Sequence, residues 1–253
     1  MPVQENKIKQ NIARIWDVSS ETYDSHEGHG IQTETEKEAW KQLFKNLLPP
    51  GRLEVLDVGC GTCEIGLMFA EMGHRVTGLD LSEKMLEKAR VKATVKGFDT
   101  TFRKGDAEIP PFEAQTFDVV VNRHLLWTLP HPDIAIQNWK RVLKEGGVLL
   151  VVDGVWNDGS LETKMRRLAS DLCTLLVEKR NPRKGYYSRE INSELPNPRG
   201  APPEKTLDYF RAASFKNVGD LDLKDIIDLQ KRTMPFRKRI AFDYKYHLIY
   251  GEK

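Results

Sequence analysis

Val55-Leu56-Asp57-Val58-Gly59-Cys60-Gly61-Thr62 carries a short apolar run into a turn with two glycines. Glu54 to Val58 reads as a buried β-strand, and Thr62 to Met72 as the helix that follows it. Glycine at 59 and 61 permits positive φ and close approach of the backbone to a ligand. The helix start beyond offers unpaired N–H groups that favour an anionic group. In an open α/β sheet, ligands bind at the carboxyl ends of the strands. The stretch therefore predicts a fold and a binding place together.

Outward from this turn, strand and helix alternate. Arg75 to Leu79 reads as a second strand. Ser82 is a suitable N-cap for a helix that carries Met85, Leu86 and Ala89 and ends near Gly97. Thr101 to Lys104 and Phe117 to Val121 read as further strands. Pro132 and Asp133 open a helix with Ile136, Trp139, Val142 and Leu143 on one side, stopped by Gly146-Gly147. Val148 to Val152 is apolar throughout, as a parallel strand buried on both faces requires. About a hundred residues of this rhythm predict a doubly wound parallel sheet. The rhythm then breaks. Leu161, Met165, Leu168, Leu172 and Leu176 mark one long helix, and a loop rich in proline, glycine and basic residues runs from Asn181 to Pro203. Leu207 to Phe215 reads as helix, Val218 to Leu223 as strand, and Tyr244 to Tyr250 as the last strand. Before the turn, Ile8, Ile12 and Trp16 form a short amphipathic helix. Trp40, Leu43, Phe44, Leu47 and Leu48 form a second, ended by Pro49-Pro50-Gly51.

Alone, the glycine turn is ambiguous. A dinucleotide fingerprint needs a third glycine where Glu64 stands, and a GxxxxGK[ST] phosphate loop is absent. Two acids narrow the reading. Asp57, two residues before Gly59, repels a pyrophosphate and favours an amino group. Asp80 ends the second strand in Gly78-Leu79-Asp80-Leu81, where a carboxylate accepts two hydrogen bonds from a ribose diol.

On these residues the chain resembles the class I S-adenosylmethionine-dependent methyltransferases, in the style of the small-molecule branch that includes ubiquinone and menaquinone methyltransferases. The matching motifs run from about Leu53 to Asp153. The resemblance implies a Rossmann-like seven-stranded, mostly parallel sheet whose last strand is antiparallel. It also implies S-adenosylmethionine as cofactor and S-adenosylhomocysteine as product. Val55 to Gly61, with Asp57, Gly59, Cys60 and Gly61, resembles the first motif, and Asp80 the ribose-binding acid, with Leu81 against adenine. Gly105-Asp106-Ala107 resembles the adenine-edge motif, with Asp106 accepting from the exocyclic amine and the Ala107 backbone against the ring. Phe117-Asp118-Val119-Val120 and Asn122 resemble the fourth motif, and Leu143-Lys144-Glu145-Gly146-Gly147 the turn before the fifth strand. Cys63 departs from the pattern, since the family usually has a glycine there. Similar enzymes fold their N-terminal segment over the cofactor, which places Tyr23 near the methionine end. Residues 1–50 are then a helical lid, and 51–253 a methyltransferase domain with a helical insertion at 155–205.

Methyl transfer is an in-line displacement at a carbon already activated by a sulfonium, so the cofactor brings the hard chemistry. The protein must align the nucleophile and exclude water. A base is needed only for a protonated acceptor. His124, just after the fourth strand in Asn122-Arg123-His124-Leu125-Leu126-Trp127, is the candidate base. Its competing reading is a loop cap or a ring packed beside the methionine. Candidate acceptor-pocket residues are His26, Arg123, Trp127, Tyr186 and Tyr187. Their plainer readings are a solvated cover, a solvated charge and core packing. His26 and His29 are also read as possible ligands or bases, but no metal is expected. Cys60 and Cys63 form a C-x-x-C without a second metal-spaced pair, and read as residues lining the turn. Asp153, ending the fifth strand, reads as a residue that orients backbone.

Composition bounds the alternatives. The 253 residues carry a net charge of +2, which gives no broad basic field for general nucleic-acid binding. Three cysteines make no disulfide framework, the start of the sequence is polar, and no stretch has the length of a membrane span, so a cytoplasmic location is expected. An RNA or protein methyltransferase, docked through Lys179, Arg180, Arg183 and Lys184 or through Arg237, Lys238 and Arg239, is one alternative. Asn122 is followed by Arg123-His124-Leu125 rather than the N-P-P-Y type sequence of amino-methylating nucleic-acid enzymes, which disfavours that class. A non-catalytic cofactor-binding subunit is the other. The expected acceptor is a small molecule.

Overall fold

The computed structural model describes residues 3–25, 28–177, 186–235, 238–239, 242 and 245–253. His26, Lys179, Arg180, Asn181, Arg183, Lys184, Arg237 and Tyr244, all named above, lie outside the described residues.

One seven-stranded sheet organises the chain. Its strands are β1 (Glu54–Val58), β2 (Arg75–Asp80), β3 (Thr100–Lys104), β4 (Phe117–Arg123), β5 (Leu143–Val155), β6 (Lys216–Asp222) and β7 (Lys245–Glu252). Their order is β3-β2-β1-β4-β5-β7-β6. The pairs from β3 to β5 are parallel, and β7 runs antiparallel between β5 and β6. The order reverses between β1 and β4, so the loops after these two strands diverge and leave a cleft at the carboxyl edge.

Helices cover both faces: α2 (Glu34–Lys45), α3 (Glu64–Glu71), α4 (Glu83–Lys96), α5 (Pro132–Val142), α8 (Pro203–Ala212) and α9 (Lys224–Thr233). Trp40, Phe44, Phe69, Ile226 and Ile227 pack one face against Val55, Val121 and Leu248, while Trp139 and Phe210 pack the other against Leu56, Val120 and Ile249. A fully buried side chain of this size contributes roughly 1.5–3 kcal/mol. Three more helices lie toward the carboxyl edge or in the insertion: α1 (Val3–Ser19), α6 (Leu161–Val177) and α7 (Arg189–Glu194).

Several elements differ from the sequence reading. The first helix is 17 residues long rather than short. Of the expected 1–50 lid, α2 is no cover: Trp40 and Phe44 sit in the sheet core. Helix α3 begins at Glu64, not Thr62, because Cys63 takes a left-handed conformation (φ 64°). Helix α5 ends at Val142, because Leu143 is already extended (ψ 142°) and starts β5. Helix α8 starts four residues early, at Pro203, whose fixed φ and missing N–H suit a first helical turn. Helix α9 escaped the periodicity reading because its few apolar positions are set among charges, and α7 because it is a short turn inside a polar loop, capped by Ser188.

Candidate functional site

The cleft at the switch between β1 and β4 is closed over by α1 into a cavity of about 100 Å³. Gly59, Gly61, Asp80, Leu81, Asp106, Ala107, Arg123, His124 and Trp127 line it, together with Tyr23 and His29 of the N-terminal cover.

The floor is the glycine turn. Gly59 (φ 65°) and Gly61 (φ 53°) are left-handed, and a Cβ on Gly59 would lie 2.5 Å from Leu125. A Cβ on Gly61 would instead project beside Tyr23 and Met85, into the cradle. Two carboxylates hold this shape. Asp80 accepts from the Gly61 N–H and the Ser82 N–H, each at 2.8 Å. Asp57 accepts from the Gly66 N–H at 2.8 Å and from the Cys63 thiol. Burial raises the pKa of Asp80, and raises that of Asp57 to about 7. Each carboxylate retains lone pairs beyond these bonds.

Asp57, Cys60, Thr62 and Glu64 also wall a small polar pocket that shares Tyr23, Gly59 and Arg123 with the main cavity. Arg123 donates through Nη2 to the His29 carbonyl, while its buried Nη1 has no partner among the described residues. A guanidinium beside an ionisable Asp57 forms a pair of opposite charges fit for an amino-acid zwitterion.

His124 is left-handed (φ 58°), and its N–H donates to the Val152 carbonyl at 2.8 Å. Its ring lies among Tyr246, His29 and Trp156, at 4.9, 5.9 and 6.2 Å between centroids. Burial, with Arg123 adding to it, holds its pKa well below the usual imidazole value. The ring is therefore neutral at physiological pH, and its Nδ1 is unpartnered among the described residues. A neutral imidazole in the cavity lining, with one buried and unpartnered nitrogen, keeps the lone pair that a proton acceptor requires. Asp153, at the far end of β5, accepts from the Leu126 and Gly154 N–H groups and orients the loop that carries His124.

The roof is aromatic. Trp16 of α1 meets Tyr23, Trp127 and Tyr187 edge to face. Its indole N–H donates to the Tyr187 hydroxyl at 2.8 Å, which also bonds Thr128. Tyr186 lies over Trp16 at 5.1 Å and is part-exposed. Lys9, two turns before Trp16 on the same face of α1, pairs with Asp106 at 2.8 Å and with the buried Glu108. Lys9, Trp16, Met85, Thr128 and Glu108 are site residues that sequence reasoning missed. Trp16 and Met85 left a trace there, each only as an apolar position of a helix.

The structure thus brings together Tyr23, Asp57, Gly59, Gly61, Asp80, Leu81, Asp106, Ala107, Arg123, His124 and Trp127, with Tyr187 behind Trp127 (5.0 Å, stacked). Two residues fall elsewhere. Asn122 is fully buried within β4, off the cavity wall, with both side-chain polar atoms unpartnered among the described residues. Cys60 borders only the small pocket. Neither its thiol nor that of Cys63 is in a disulfide, and burial pushes both pKa values up, with neighbouring Asp57 adding to the rise at Cys63. Among the described residues no three His, Cys, Asp or Glu side chains gather as metal ligands, and no helix is long and apolar enough to cross a membrane.

Residues 56–151 match the family profile described as a methyltransferase domain. The malonyl-[acyl-carrier protein] O-methyltransferase of Erwinia pyrifoliae is 32% identical over 155 residues, 61% of this chain and 54% of that protein. A ubiquinone biosynthesis O-methyltransferase of Coxiella burnetii is 28% identical over 160 residues, 58% of this chain and 63% of that protein. The chain thus spans between half and two thirds of these relatives' length. Among solved structures, the [4+2]-cyclase SpnF superposes with a TM-score of 0.65 at 19% identity, over 96% of this chain and 94% of that one, a likeness of fold alone.

Proposed function

Starting from the class I S-adenosylmethionine-dependent methyltransferase domain that this chain carries, we propose that the protein transfers a methyl group from S-adenosylmethionine to a small-molecule acceptor and releases S-adenosylhomocysteine. The observation that carries the proposal is the cavity itself. Its floor is a left-handed glycine turn, one end offers Asp80 and Asp106, and the other offers Arg123, with Asp57 in the small polar pocket that adjoins it.

The residues fit the cofactor part by part. Asp80 accepts the ribose hydroxyls, and Leu81 packs on the adenine. Asp106 keeps acceptor capacity beyond its Lys9 bond for an exocyclic amine, beside the Ala107 backbone. Asp57 faces the amino group, and the unpaired Nη1 of Arg123 the carboxylate. This moves Arg123 from an acceptor contact to a cofactor contact. Bound there, the cofactor supplies an electrophilic methyl group. Trp16, Tyr23, Trp127 and Tyr187 exclude water around it, and His124 takes the acceptor's proton where the acceptor carries one. The cover also argues for a small acceptor, because α1 and the aromatic roof close the approach that a folded RNA or protein would need.

The test is incubation with methyl-labelled S-adenosylmethionine and a cell extract separated into small-molecule, RNA and protein fractions. Label is expected in the small-molecule fraction and is expected to be lost with Asp80→Ala. Label confined to RNA or protein would overturn the acceptor class. No label in any fraction would favour a non-catalytic subunit.

A further inference from the structure

Helix α6 is built inside out. Its partly covered positions are Thr163, Arg166, Ser170 and Cys173, which follow one another at spacings of three, four and three. They form a mostly polar face, with Thr163 bonded to Ser160 and Asp158 and Arg166 paired with Glu162. The opposite face carries Leu161, Met165, Leu168, Leu172, Leu175 and Leu176, all exposed, with Leu161 and Leu168 above 70%. At 100° per residue these six fall within an arc of about 100°. Burying that face is what makes such a helix stable, and nothing among the described residues covers it.

The spacing says what kind of surface covers it. Leu161, Met165, Leu168, Leu172 and Leu175 recur at four, three, four and three, a heptad seam sustained for two turns of the repeat. Such a seam accepts the knobs of another helix rather than a flat surface. The flanking charges say which helix. Lys164 and Asp171 stand on the same side of the seam, seven residues apart and almost symmetric about Leu168. In an antiparallel pair of identical helices centred there, each Lys164 meets the other copy's Asp171, twice over by the two-fold axis. Leu161 then packs across from Leu172 and Met165 from Leu168, each layer repeated by the two-fold axis. A parallel pair would set Lys164 against Ala169 and gain no such contact. A bilayer surface fits less well, since its helices concentrate lysine and arginine on the polar face. Here Glu162 pairs with Arg166 and Asp171 borders the stripe.

We propose that α6 is a self-association surface, and that the protein forms a two-fold dimer through an antiparallel α6–α6 coil. One helix pair of this length is a small interface, so the dimer is expected in the micromolar range.

The test is sedimentation equilibrium of the full chain from about 1 to 200 µM, with far-ultraviolet circular dichroism as the folding control. The wild type is expected to dimerise. Leu168→Glu, at the centre of the seam, is expected to weaken the dimer by roughly a hundredfold or more. Lys164→Asp is expected to weaken it less, and Lys164→Asp combined with Asp171→Lys to restore it. A wild-type monomer at 200 µM, a dimer unaffected by folded Leu168→Glu, or a double charge swap no better than the single one would each overturn the proposal. So would co-sedimentation of a monomeric wild type with phosphatidylglycerol vesicles, which would assign the stripe to a membrane.

Discussion

Replacing Lys9 with methionine tests what fastens α1 over the cavity. Lys9 is nearly buried, and its ammonium bridges Asp106 and the buried Glu108. A charge-assisted hydrogen bond contributes about 1.5–3 kcal/mol. The Asp106 half is partly solvated and is discounted accordingly. Methionine retains the apolar packing of the stem, and Glu108 keeps the His131 N–H at 2.6 Å, so its charge is not stranded. The net loss comes to about 2 kcal/mol, which raises the population of molecules with α1 lifted by about thirtyfold. Hydrogen exchange reads this directly. Amides of residues 8–19 should exchange about thirtyfold faster, while those of β1 and β4 keep their wild-type protection. Acceleration below threefold would show that Ile12 and Trp16 alone dock the helix. Equal acceleration in α1 and the sheet would show that the ion pair supports the whole fold rather than the cover. Either result refutes the reasoning.

Two further outcomes follow from the turn. Asp57, whose pKa lies at about 7, is expected to be drawn into its ionised form by a bound amino group. Cofactor binding then releases protons below pH 7, and affinity falls as pH drops from 8 to 6. Calorimetry in buffers of different ionisation enthalpy checks this, and an unchanged pH dependence in Asp57→Asn would contradict it. Cys63 is left-handed and fully buried. In Cys63→Gly, relief of backbone strain and loss of thiol packing offset one another to within about 1 kcal/mol. Cys63→Val, β-branched at positive φ, should lose about 2 kcal/mol or more in urea unfolding. Equal stability of the two variants would show that the strain is absent.

The centre of the sheet was legible because its strands are buried on both faces, so Val55 to Val58 and Val148 to Val152 announce themselves by composition. Asp80 was legible because it ends a strand beside a glycine turn, a position whose chemistry is local. What escaped depends on distant pairs. Lys9 meets Asp106 across 97 residues, and Trp16 meets Tyr187 across 171, with no trace in the local pattern of either. Asn122 was misplaced for a related reason. Strand alternation turns it into the core, while its neighbours Arg123 and His124 turn with the loop to the cavity. Periodicity gave α6 as a helix, but it cannot say which way an apolar stripe faces, and here it faces out.

The central claim is that the cavity beneath α1 is an S-adenosylmethionine site anchored by Asp80. Calorimetric titration of S-adenosylhomocysteine tests it most directly. The wild type is expected to bind with one site per chain. Asp80→Ala, which removes the clamp on Gly61 and the acceptor proposed for the ribose hydroxyls, is expected to bind at least about tenfold more weakly while remaining folded. No heat with the wild type, or equal affinity in the two proteins, would contradict the account.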